Sequence, residues 1–152
     1  MNSQHPAPAP FEQIEGETRA VDLVRAYLVG DVDGVAEAAA PGGSTTGAYM
    51  RQQLDRLLVD AVRADPWFDF SRPALMAPAG AAWLTTVPMS DPVSAAVWEL
   101  ASDGGDGPFR TLTEDDMITV LAISAAARGI GAWGLEGMLE RLARVREVVA
   151  QP

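Results

Sequence analysis

The chain has 152 residues, a hydrophobic fraction of 48%, a charged fraction of 21% and a formal net charge of -10. That length suits one domain burying roughly 70% of its unfolded surface, and that balance excludes wholesale disorder. There is no cysteine and no lysine, and the one histidine, His5, stands among prolines near the N-terminus, which leaves no basis for thiol, Schiff-base, Ser-His-Asp or Cys/His zinc chemistry.

The negative charge also argues against nucleic acid and membrane surfaces as partners, since both are bound through clustered basic side chains. Residues 1–15 read as a mobile tail rich in Pro and Ala, and 16–150 as a single helical domain. No basic stretch followed by an apolar one suggests a secretory signal, so a cytoplasmic location is expected.

A helix is predicted from about Glu17, with Val21, Val24 and Leu28 on one stripe, stopping at Gly30. Asp31 or Asp33 then caps a short helix whose Val32, Val35, Ala36 and Ala39 recur at helical spacing. The D-V-D-G string is a cap and turn, because position 40, where a calcium loop needs a carboxylate, is Ala. Residues 41–47 read as a loop. The amphipathic helix from about Ala48 to Ala64 buries Met50, Leu54, Leu57, Leu58, Ala61 and Val62, and the spacing predicts surface pairs Arg51 to Asp55 and Arg56 to Asp60.

Residues 66–90 carry prolines at 66, 73, 78 and 88 and a β-capable run, Trp83 to Val87. They are expected to form an irregular excursion over the helices, or a hairpin turning at Pro78 to Gly80. Asp91-Pro92 opens a helix facing inward through Val93, Ala96, Val97 and Leu100, with Trp98 expected in the core. Thr113 caps the next helix, which starts with Glu114, Asp115 and Asp116 and is apolar nearly all round; it is expected at the centre of the fold. After a glycine-rich connection, Gly129 to Gly134, a last helix presents Leu135, Met138, Leu142, Val145 and Val149 at heptad spacing, with packing onto the domain expected and dimerisation as the alternative.

Two motifs carry no chemistry. Gly129 to Gly134 spells G-x-G-x-x-G, but a helix precedes it where a dinucleotide site needs a strand. The acids between Asp103 and Asp116 do not fit an EF-hand, because Gly105, Gly107 and Pro108 occupy ligand and turn positions. No catalytic residue, metal or cofactor is therefore assigned.

The expected fold is all-α, a compact bundle of about six helices with one long irregular or hairpin-like excursion at residues 66–90. The expected function is that of an acidic cytoplasmic binding or regulatory protein working through a protein partner, or through self-association of the C-terminal helix, without catalysis. The alternative is a small-molecule site or enzyme with a Trp-lined pocket and carboxylate chemistry. Candidate surface residues are Trp67, Phe68, Trp83, Trp133 and Val145.

Overall fold

The computed structural model describes residues 11–40, 44–67, 76–103 and 112–151. Among them the chain forms six helices and no strand: α1 (Phe11–Val29), α2 (Val32–Ala38), α3 (Ser44–Ala64), α4 (Pro78–Leu84), α5 (Asp91–Asp103) and α6 (Glu114–Ala150). The fold is the expected all-α bundle, and α6 is its axis, packed against α1, α3, α4 and α5.

The apolar composition of α6 explains that position. Ile118, Ala122 and Ala125 recur on one side and join a cluster with Val21, Leu23 and Val24 of α1 and Met50, Leu54 and Leu57 of α3. Val120, Ile123 and Ala127 recur on the other and join Leu84 of α4 with Val93, Ala96 and Val97 of α5. Two apolar stripes on opposite faces of one helix require a partner on each, whereas an amphipathic helix needs a partner on one. Thr113 caps α6 as expected, its hydroxyl accepting from the Asp116 N–H at 3.1 Å.

The glycine-rich connection is not a loop. Gly129, Ile130 and Gly131 are helical, and only Gly134 departs, at φ 74° and ψ 169°, a region open essentially to glycine alone. The chain bends sharply there. Met138 reaches back against Gly129, where an added Cβ would collide with its sulfur; in a straight helix those residues would stand about 13 Å apart. The arm after the bend lies on α1 and α3, with Met138, Leu142 and Val149 buried and Arg146 to Asp22 (2.9 Å) and Arg141 to Asp60 (3.2 Å) bridging outward. The heptad stripe thus packs within the chain, apart from Leu135, which is exposed.

Other elements differ from their sequence reading for local reasons. α1 starts at Phe11, inside the segment read as tail, with Glu12 in its first turn and Ile14 half-buried. α3 begins at Ser44, so residues 44–47 are helical. The glycine there, Gly47, costs about 1 kcal/mol, and Thr46 is buried beside α1. In α2, Val32 is exposed and Ala38 provides the buried contact. The cap is Asp31, which accepts from the Gly34 N–H at 2.9 Å.

The excursion contains α4 where an extended loop or hairpin was expected. Pro78 suits the first helical turn, where its missing N–H costs nothing. The threonines that suggested a strand end the helix instead: the hydroxyls of Thr85 and Thr86 donate to the carbonyls of Ala82 and Trp83, both at 2.7 Å. Trp98 is 37% exposed, not core. Arg51 pairs with Glu114 and Arg56 approaches Glu17, so these arginines tie helices together where intrahelical pairs were predicted.

Candidate functional site

The chain turns from α1 into α2 through a Schellman motif: the Gly30 N–H donates to Tyr27 O (3.3 Å) and the Asp31 N–H to Ala26 O (2.9 Å). Gly30 takes φ +69° to make this possible. Directly across lies the carboxyl end of α4. Between them is an open groove of about 550 Å³ whose lining includes Tyr27, Val29, Val32, Trp83, Thr86 and Val87. Its size is in the range of ligand and anchor sites.

Each wall has a cause in the sequence. Trp83 and Tyr27 are half-buried and pack against both core clusters, so their positions are set by the core. Burial raises the Tyr27 phenol above its ordinary pKa, and a hydrogen bond with the Thr119 side chain draws it part of the way back. Val29 and Val32 flank the Gly30 turn and have no such support. They are 49% and 78% exposed.

The sequence candidates do not converge on this groove. Trp83 lines it. Trp67 is half-exposed after α3, its backbone N–H donating to Asp65 Oδ1 at 2.8 Å. Trp133 is half-buried beneath the Arg141 guanidinium, 4.3 Å from the ring centroid. Phe68 lies outside the described residues. Val145 is half-buried in a different groove of about 410 Å³, beside Val148, Val149, Arg56, Arg141 and Arg144. Of the acids between Asp103 and Asp116, Glu114 is engaged by Arg51 at 3.2 Å, and Asp106 lies outside the described residues.

Sequence reasoning missed Tyr27, Val29, Asp31 and Val32 as a site. The signal was present as apolar residues on both sides of a Gly-Asp helix stop, which places them at one corner of the bundle. It also missed a buried ion pair. Asp65, which follows the end of α3, has a fully buried side chain and faces Arg128 of α6 at 3.6 Å, with the arginine side chain 6% exposed. Burial lowers the Arg128 pKa, and the charge of Asp65 opposes that shift. The pair pins the end of α3 to the middle of α6.

No family model, curated protein or solved structure matches this chain.

Proposed function

We propose that this chain is an acidic helical binding protein that acts through protein contacts and catalyses no reaction, with the groove between α1, α2 and α4 as its contact site. The observation that carries this reading is the half-buried Trp83 facing a groove edged by the exposed Val29 and Val32. An aromatic residue fixed by the core, surrounded by apolar side chains still in water, has the composition of an interface centre. The alternative of a small-molecule pocket is weaker, because Trp67 and Trp133 do not line the groove and its one carboxylate, Asp31, caps α2. The groove beside Val145 ranks behind it, since Met138, Leu142 and Val149 of that helix are already buried against the domain.

The test is selection of peptides from a random displayed library against the full chain, followed by titration of the selected peptides into labelled protein. Binders are expected to carry an apolar anchor, to shift the amides of Val29, Val32 and Thr86, and to lose about tenfold in affinity or more for Val32→Asp. Val32 is 78% exposed, so that variant keeps the fold. Peptides that bind Val32→Asp as well as the parent, or that shift only residues elsewhere, refute the assignment.

A further inference from the structure

Resting on that reading of the groove, we propose that its occupant is cationic: a partner segment in which an arginine or lysine flanks the apolar anchor. Three features of the groove favour a positive charge. Asp31 is the one charged residue in its lining. The groove lies at the carboxyl end of α1, which has no basic residue in its last turn, so the partial negative charge of that helix end is uncompensated there. The Schellman pair uses the carbonyls of Ala26 and Tyr27, and Leu28 and Val29, the last residues of α1, line the groove beside it. Finally, Trp83 and Tyr27 supply aromatic rings, whose faces attract cations.

The opposing influences are small. The amino end of α2 also borders the groove, but α2 is only seven residues long, its Gly34 N–H is taken by Asp31, and Asp33 sits in its first turn. Arg19 and Arg25 of α1 line an adjoining concavity that shares Asp31 with the groove, and there Asp22, Asp31 and Glu37 outnumber the two arginines. A carboxylate entering the groove would meet Asp31 and a negative helix end together, within a chain of net charge -10. An ammonium or guanidinium group would be attracted by each of them.

Three probes that share one apolar chain separate the charge preference from the groove itself. Hexylammonium, hexanol and hexanoate are titrated into the full-length labelled chain at low ionic strength, following the amides of Val29, Val32 and Thr86 and the Trp83 indole. Hexylammonium is expected to bind roughly fivefold or more tightly than hexanol, and hexanoate more weakly than either. Asp31→Asn should reduce the preference for hexylammonium over hexanol without disturbing the helix, because asparagine caps a helix as well as aspartate does. Equal affinity for hexylammonium and hexanol overturns the cationic occupant and leaves the apolar groove standing. Failure of all three to shift groove residues overturns both.

Discussion

Replacing Gly134 by alanine isolates the free energy held in the bend of α6. Gly134 sits at φ 74° and ψ 169°, and a Cβ added there would meet nothing within 4 Å, so any loss of stability comes from the backbone conformation and not from a clash. Backbone in such a region costs a residue with a side chain on the order of 1–3 kcal/mol. The chain could avoid that cost by straightening, which alanine as a helix former would favour by about 1 kcal/mol. Straightening, however, would lift the arm that buries Met138, Leu142 and Val149, forfeiting roughly 5–9 kcal/mol at 1.5–3 kcal/mol per side chain. Burial wins, and the strain is retained. Gly134→Ala is therefore expected to lose about 2 kcal/mol, a fall in Tm of roughly 4–8 °C for a domain of this size, with helical circular dichroism unchanged. Thermal and urea unfolding give the number. A variant that melts at or above the parent refutes the reasoning, because it would mean that packing does not enforce the bend.

Ile123→Ala removes a fully buried side chain from the face of α6 toward α4 and α5; a loss of about 2–5 kcal/mol is expected in urea unfolding, and a loss under 1 kcal/mol would show that this cluster is dispensable. Asp65→Ala leaves the Arg128 guanidinium buried without the carboxylate it faces and should cost about 3–5 kcal/mol; the double variant with Arg128→Met should recover part of that loss, and additive losses would refute the coupling. Tyr27 has a raised folded-state pKa, so the unfolded chain releases its phenolic proton first. Its contribution to stability is complete below the unfolded pKa of about 10 and is lost as pH rises through the folded value. An absorbance titration should show a high-pH phenol transition that Tyr27→Phe removes; a transition left intact by that variant would contradict the assignment.

The parts of the fold read correctly from sequence are those set by local chemistry. The Thr113 and Asp31 caps, the stop at Gly30 and the inward stripe of α3 each depend on residues within a turn or two, and each stands where its spacing placed it. The misreadings concern residues whose conformation depends on neighbours that propensity alone does not show. Gly129 and Gly131 look like breakers, but Met138 and Ala77 pack against them, and that closeness compensates for their poor helix propensity. Thr85 and Thr86 are β-branched and favour a strand until a helix end offers carbonyls for their hydroxyls. Trp83 stands out in the sequence because binding residues concentrate in irregular segments. Its neighbours in the groove come from α1 and α2, about fifty residues earlier, a juxtaposition that periodicity cannot encode.

The position of α6 in the chain bears on how the protein is made. Every helix it packs against is synthesised before it, and at 5–20 residues per second the ribosome needs roughly 2–9 s to pass from the end of α5 to the end of α6. During that interval α4 and α5 lack the surface that covers Leu84, Val93 and Val97, and α1, α2 and α3 can pack among themselves but not against α6. The nascent chain therefore presents sticky faces to the cell for seconds. Chaperone demand and aggregation during expression should follow the rate of translation through codons 104–150, and slow codons there should lower the soluble yield while leaving the equilibrium stability of the finished protein unchanged.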